Sequence, residues 1–314
     1  MNESDETAIG RRTVRRVSVR LLPFLIVLYL SAWIDRTNLA IASLQMVPDL
    51  RLSRSAYGFG AGIFFVGYAL FEIPSNLILV RVGARRWIAR IAVSWGILAS
   101  AMMFVRTPLQ FYTLRVLLGI AEAGFFPGII YYLSLWFPAR ERAVAAARFM
   151  IAAPLAGIIG NAVGGWVLGF DGSLGLRGWQ WLFLIEGIPS IVLGAAALKV
   201  LADRPETAAW LLNDEREWLA ARLLRDAADA ERHSDSALVA LRHPMIWLLS
   251  LTNFLMALPL FAYAFWGPVF VRDAAHTSPA ATGFVLAGIA VVTAGAMLIN
   301  STLADRTGQH SLHA

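Results

Sequence analysis

The stretch FYTLRVLLGIAEAGFFPGIIYYLSLWFP, residues Phe111–Pro138, is apolar and long enough to cross a bilayer, yet it contains the charged residues Arg115 and Glu122. These two residues are two helical turns apart, so they share one helix face, with Gly119 between them. A charge at the centre of a membrane costs roughly 3 kcal/mol on insertion scales, so a helix keeps one where a partner, water or a ligand meets it. This helix is therefore predicted to face an interior site.

The composition indicates a membrane protein. Of the 314 residues, 58% are hydrophobic and 15% are charged, and the mean hydropathy is +0.62. The absence of Cys excludes disulfides and thiolate metal ligands. The net charge of +6 comes from basic residues in short loops between apolar spans, so it is interpreted as a topology signal and no nucleic-acid partner is expected.

Apolar segments of spanning length occur eight times along the chain. Their approximate ranges are 21–46, 57–80, 87–105, 111–138, 143–169, 179–201, 245–271 and 279–303. No small-residue cleavage site follows the polar N-terminal segment, so the first span is expected to be retained. The predicted fold is all-α and polytopic, with a tail at 1–20, a six-helix bundle at 21–201, a loop at 202–242 and two helices of a second bundle within 243–314.

The distribution of the 27 Lys and Arg residues predicts the orientation of the spans. With a cytoplasmic N-terminus, 20 of them fall in cytoplasmic segments and five in outer loops, while Arg36 and Arg115 lie inside spans. The positive-inside rule therefore predicts this orientation. The hydrophilic segment 202–242 is interpreted as a linker between bundles, with a regulatory partner site on its stripe of Trp and Leu residues as the alternative.

A short loop pattern occurs twice, six helices apart. VRVGARR covers Val80–Arg86 and ADRTGQH covers Ala304–His310, and each contains an Arg, one residue, and then a Gly. Two such copies are expected of two homologous six-helix halves.

These loops resemble the signature loop of the major facilitator superfamily of transporters, which reads roughly G-x-x-x-D-R-x-G-R-R. The second copy keeps the acidic residue as Asp305, whereas Val80 takes that place in the first. Five further motifs resemble the anion:cation symporter branch, which includes bacterial permeases for tartrate, phthalate, hydroxyphenylacetate and sugar acids. They are WIDRTNLA (33–40), GYALFEIPSN (67–76), GARRWIAR (83–90), RVLLGIAEAGFFPG (115–128) and WQWLFLIEGIPS (179–190).

The resemblance implies a proton-coupled symporter that carries a small organic anion across the bacterial inner membrane by alternating access. Superfamily members have twelve spans in two bundles, so the chain is expected to be a truncated carrier. A fragment that does not transport, or a facilitator or exchanger of another small solute, is the alternative. The expected partners are the anion, protons and the lipid bilayer. The implied gating-loop residues are Arg81, Gly83, Arg85, Asp305 and Arg306.

Asp35 and Arg36 lie inside the first span and point about 100° apart, so they are predicted to face different neighbours. Arg36 can hold a carboxylate through two parallel hydrogen bonds, which a Lys cannot do. The resemblance implies that Arg36 contacts the anionic substrate and that Asp35 takes up a proton. A structural ion pair between helices is the alternative.

Arg115 and Glu122 have the same two interpretations. Burial favours the neutral form of a carboxyl group and a nearby guanidinium favours the charged form, so a site that alternates between the two can bind and release a proton. The resemblance implies that Glu122 couples protons and that Arg115 is its partner or a substrate ligand. The resulting hypothesis is that protonation of Glu122 frees Arg115 for the substrate.

Two polar residues complete the predicted cavity. Tyr68 matches a substrate-contacting Tyr of the family, with a packed aromatic side chain as the alternative. Asn161 lies among small residues at 156, 160 and 164, a spacing that favours close helix packing, and it is a candidate cavity residue. All five His residues lie outside the spans and no H-E-x-x-H or G-x-S-x-G arrangement occurs, so no catalytic residue, metal site or cofactor is expected.

Overall fold

The computed structural model describes residues 3–232 and 243–307, without the side chains at 3–5, 229–232, 298, 301, 302 and 304–307. The helices in these ranges are α1 Glu3–Asp49, α2 Arg54–Val82, α3 Ala84–Ala101, α4 Pro108–Glu122, α5 Phe125–Ser134, α6 Ala139–Met150, α7 Ala152–Leu168, α8 Gly178–Val200, α9 Asn213–Arg232, α10 Pro244–Ala275 and α11 Pro279–Thr307. Eight segments of the described residues are long and apolar enough to cross a membrane. The all-α, eight-span prediction is confirmed.

Helix α1 lies at the centre of the packing. It contacts α2, α6, α7, α8 and α9, and also both of the last helices, α10 and α11, while α2 packs on α4 and α3 on α8. The buried apolar residues of α1 fall into two separate clusters, one within 17–32 and one within 39–46. Asp35 and Arg36 lie between these clusters, where several helices meet.

The predicted span 111–138 is not one uninterrupted helix. Helix α4 ends at Glu122 and α5 begins at Phe125, because Ala123 is extended and Gly124 has φ +80°. Positive φ is strained for any residue with a Cβ atom. A Cβ at position 124 would also lie 2.6 Å from Ser75 Oγ of α2. Glu122 is therefore the last residue of a half-helix that ends inside the span.

The substitution Gly124→Ala should destabilise the bundle by at least about 1 kcal/mol, because a left-handed conformation costs about that much or more once a Cβ is present. The new methyl group would also press on Ser75. Thermal unfolding of the purified chain measures the effect. Gly62→Ala is the control, since a Cβ there meets nothing within 4 Å. An equal loss of stability in both variants would contradict the prediction.

The predicted span 143–169 also bends, at Ile151 between α6 and α7. Beyond the bend, the small residues of α7 allow two close contacts. A Cβ on Gly160 would lie 3.2 Å from Ile34 of α1, and a Cβ on Gly165 would lie 2.9 Å from Cα of Gly283 on α11. The predicted close packing is confirmed, and α1 and α11 are its partners.

The predicted N-terminal tail is helical and docked in its described part. Residues 3–20 form the first turns of α1 and pack on α9. Arg12 Nε and Arg16 Nη1 pair with the fully buried Glu215 of α9, at 3.0 Å and 2.8 Å. The predicted linker is thus attached to the bundle through charged contacts.

The apolar stripe of the linker is used within the molecule. Leu211 and Leu219 are buried in the same core cluster as the start of α1, and the rings of Trp210 and Trp136 stack with centroids 5.4 Å apart. In the described part of 202–242 the stripe therefore packs on the bundle, so the linker interpretation agrees with the structure better than a free partner site does.

The substitution Glu215→Ala should release the first turns of α1, since Arg12 and Arg16 lose their buried carboxylate. Hydrogen bonds to charged groups contribute about 1.5–3 kcal/mol, so trypsin should cleave within residues 11–20 markedly faster. Asp214→Ala is the control: Asp214 also pairs with Arg12, but both side chains are about half exposed, and such pairs contribute little. Identical cleavage rates for the two variants would contradict this expectation.

Candidate functional site

Helices α1 and α4 meet at a buried ion pair. Arg36 Nε donates a hydrogen bond to Glu122 Oε2 at 3.0 Å. The Glu122 side chain is 1% exposed and the Arg36 side chain 17%. The guanidinium group also lies over the Tyr68 ring of α2, 5.0 Å from the ring centroid, which is cation–π distance. Three helices therefore build one site, and Arg36 is its more accessible charged group.

Arg115 lies deeper, against the backbone of α2. Its Nε donates to the carbonyl of Gly60 at 3.2 Å and its Nη2 to that of Ala61 at 3.4 Å. The guanidinium carbon is 4.6 Å from the centroid of the Phe64 ring. These contacts satisfy part of the guanidinium, and no carboxylate among the described residues contacts it directly.

The structure corrects one prediction for this pair. The ion-pair partner of Glu122 is Arg36, and Arg115 acts on Glu122 through a longer electrostatic interaction. The physical reason is the rise of the helix: two turns bring side chains onto one face but leave them about 10 Å apart along the axis. The hypothesis that protonation of Glu122 directly frees Arg115 does not agree with this pairing, and a role of Arg115 as a substrate ligand stays a prediction.

Close packing of α2 on α4 brings Arg115 to those carbonyls. A Cβ on Gly119 would collide with the carbonyl oxygen of Phe64, and a Cβ on Gly67 would lie 2.6 Å from the carbonyl oxygen of Val116. The small residue between the two charges of α4 thus lets α2 lie directly against the charged face. The prediction that this face is interior agrees with the burial of both charges.

Asp35 points away from Arg36, as the helix geometry predicts. The residue is 2% exposed, and its Oδ1 accepts a hydrogen bond from Asn38 Nδ2 at 3.3 Å. Its Oδ2 has no hydrogen-bond partner among the described residues. Asp35 interacts electrostatically with Glu122 and Arg115, so all of these groups belong to one buried charge cluster.

Glu186 of α8 is a buried carboxyl that the sequence analysis missed. The residue is 7% exposed, and neither carboxyl oxygen has a hydrogen-bond partner in the described part of the chain. The groups that act on it are Asn38 and Asp35 of α1. A signal was available, because Glu186 is a lone charge in the apolar span WQWLFLIEGIPS, just as Glu122 is in its own span.

The predicted residues near the last two helices have mixed outcomes. Asn161 is half-buried where α7 packs on α11, and its side-chain Nδ2 donates to the Gly157 carbonyl at 2.6 Å. The backbone carbonyl oxygen of Asn161 lies close to Gly283. Its amide donor is thus used within its own helix, and a cavity-lining role stays a prediction. The side chains of Asp305 and Arg306 lie outside the described residues.

The first predicted gating loop contacts an acidic residue elsewhere in the chain. Gly83 has φ +99° and separates α2 from α3, while Arg81 is exposed at the end of α2. The Arg85 backbone N–H donates to Asp203 Oδ1 at 3.0 Å, and Arg85 Nε lies 3.4 Å from Asp203 Oδ2. Asp203, just after α8, therefore supplies to this loop the carboxylate that Val80 cannot.

Comparison with known proteins agrees with the helical architecture. Residues 25–312 match the Major Facilitator Superfamily. A putative tartrate transporter of Agrobacterium vitis is 45% identical over 313 residues, which cover 100% of this chain and 71% of that protein. The putative metabolite transport protein NicT of Pseudomonas putida is 44% identical over 299 residues, which cover 95% of this chain and 68% of NicT.

A solved structure has a similar fold. It is a bacterial homologue of the human lysosomal transporter Spinster, with a TM-score of 0.73 and 20% sequence identity. The alignment covers 92% of this chain and 62% of that one, so this chain spans less than two thirds of its length. At this identity the likeness concerns the fold alone. Together, the match over residues 25–312 and the 45% identical relative show that the chain belongs to the Major Facilitator Superfamily.

Proposed function

We propose that the protein is a secondary active transporter that moves a small organic anion, a carboxylate or sugar acid, together with protons by alternating access. The observation that carries this proposal is the buried ion pair between Arg36 and Glu122. The excess of basic residues in the predicted cytoplasmic segments supports a bacterial inner-membrane location with a cytoplasmic N-terminus.

The ion pair provides a mechanism for coupling. A substrate carboxylate has the same charge and geometry as the carboxylate of Glu122. The two therefore compete for the planar fork of N–H donors on the Arg36 guanidinium. A proton on Glu122 removes its charge and releases Arg36 to bind the anion. Glu122 Oε1 has no hydrogen-bond partner among the described residues and is the atom available to accept that proton. Protonation therefore precedes anion binding.

Three groups near the ion pair, Arg115, Tyr68 and Asp35, have further proposed roles in binding the anion and the proton. Arg115 already donates to two backbone carbonyls, so it contributes mainly a positive field that favours an anion nearby. The Tyr68 ring holds the Arg36 guanidinium in place, and its hydroxyl is a further candidate donor to the substrate. Asp35 is the second predicted proton-coupling carboxyl of the cluster.

Tartrate is the natural first probe of the substrate class. Two guanidinium groups suit a mono- or dicarboxylate, since each pairs with a charge or a hydrogen-bonding oxygen. The name of the tartrate transporter in Agrobacterium vitis supports a dicarboxylate of this size.

The test is uptake of radiolabelled tartrate into liposomes that contain the purified chain. We expect uptake that saturates with tartrate, is driven by an acidic exterior and stops when a protonophore collapses the gradient. Arg106→Gln, at an exposed Arg between α3 and α4, is the matched control for Arg36→Gln. Uptake that does not depend on the proton gradient would indicate a facilitator. Tartrate that stabilises the chain against heat without any uptake would indicate a fragment that binds but does not transport.

A further inference from the structure

The buried cluster contains more acids than bases. Its carboxyl groups belong to Asp35, Glu122 and Glu186, and its guanidinium groups to Arg36 and Arg115. Glu122 is paired with Arg36, and Arg115 interacts electrostatically with both Glu122 and Asp35. Glu186 is the acid for which no base remains.

The helices around Glu186 supply no positive charge to it. From α1 come Asp35 and Asn38, a like charge and a neutral amide. From α3, the backbone of Gly96 and the hydroxyl of Ser100 lie against Gly187. The sequence of α7 contains no titratable residue. An ionised Glu186 would therefore be buried without a basic partner and with neither oxygen hydrogen-bonded by a described residue.

Such an arrangement is unstable for an ionised carboxylate. A buried carboxylate without a positive partner or a hydrogen bond is costly, so such a carboxyl group commonly retains a proton. We propose that Glu186, which is 7% exposed and has neither carboxyl oxygen in a hydrogen bond to a described residue, holds one exchangeable proton and is a second proton site separate from Glu122.

The ligand is a proton rather than a metal cation. Both carboxyl oxygens of Glu186 lack hydrogen-bond partners among the described residues. Hard metal cations such as Ca²⁺ and Mg²⁺ take six or more oxygen ligands. The nearby hydroxyls of Ser31 and Ser190 are hydrogen-bonded to each other at 2.8 Å, so they do not complete a cage of ligands.

The second site changes the expected coupling. One proton on Glu122 and one on Glu186 would let a dicarboxylate dianion cross with no net charge. This consequence rests on the proposed function, whereas the bound proton itself does not. Infrared spectroscopy of the full chain in liposomes tests the proton without any transport, through the C=O stretch of a protonated carboxyl group at neutral pH.

We expect Glu186→Gln to remove the band of one carboxyl group per chain, and Glu217→Gln, at an exposed Glu of α9, to leave that band unchanged. Asp35→Asn should keep the band, because the proton belongs to Glu186. Gln has the shape of a neutral Glu, so Glu186→Gln should also keep the unfolding temperature of the parent chain. Should this variant fail to fold, Glu186→Asp retains a carboxyl group and should show a displaced band.

The inference is overturned if the parent chain has no band that Glu186→Gln removes, or if the band disappears when Na⁺ replaces choline in the buffer. In uptake assays, Glu186→Gln should lower the ratio of protons to tartrate from two to one. A chain with the Glu186 band but no tartrate uptake would refute the proposed transport and leave the proton site standing.

Discussion

In the Arg36→Gln variant, we expect tartrate uptake to be lost and the bundle to be destabilised by about 3–5 kcal/mol, the usual cost of removing one partner of a buried ion pair. The reason is that Glu122, at 1% exposure, keeps its burial but loses the guanidinium that compensates its charge. Uptake is lost because the other guanidinium of the site, Arg115, is 3% exposed and already donates to two backbone carbonyls. Thermal unfolding and tartrate uptake are measured on the same preparation.

The double variant Arg36→Gln/Glu122→Gln separates binding from stability. It removes both charges, so we expect most of the stability to return while uptake remains absent. Arg36→Lys keeps the charge without the planar fork, so the bundle should stay folded while tartrate affinity falls. Arg106→Gln should change neither quantity. A double variant that regained both stability and uptake would show that the pair is only structural.

In the Glu122→Gln variant, we expect the anion to move without the proton that Glu122 carries. The amide cannot ionise, so Arg36 is released at every pH and tartrate binding becomes insensitive to pH. In the parent chain, binding should strengthen on acidification, because protonated Glu122 stops competing for Arg36. Downhill flux and exchange of internal for external tartrate should persist, while accumulation driven by an acidic exterior is weakened, because one proton fewer accompanies each anion.

A pH-sensitive dye inside the liposomes reports proton entry while radiolabelled tartrate reports the anion. The control is Glu72→Gln, which removes another carboxyl group from a membrane span, on the helix that also carries Tyr68, and should leave coupling intact. Tartrate uptake by Glu122→Gln that acidified the liposome interior as much per tartrate as the parent chain does would contradict the proposed role of Glu122.

Much of the site can be predicted from the sequence because its signals are local. The length of each apolar run determines that it can span a bilayer. A charged residue within such a run marks an interior face, which is how Asp35, Arg36, Arg115 and Glu122 were found. Helix periodicity also predicts that Asp35 and Arg36 face different neighbours, and the structure agrees.

The sequence by itself thus determined the spans, the superfamily resemblance and the charged faces of single helices. Only the tertiary structure decided which charges meet, since the pairing of Arg36 with Glu122 joins residues 86 apart and that of Arg85 with Asp203 joins residues 118 apart. Periodicity states which way a side chain points along its own helix, but its neighbour depends on how closely two helices approach. That approach is set by backbone contacts such as Gly119 on Phe64, which no single helix reveals.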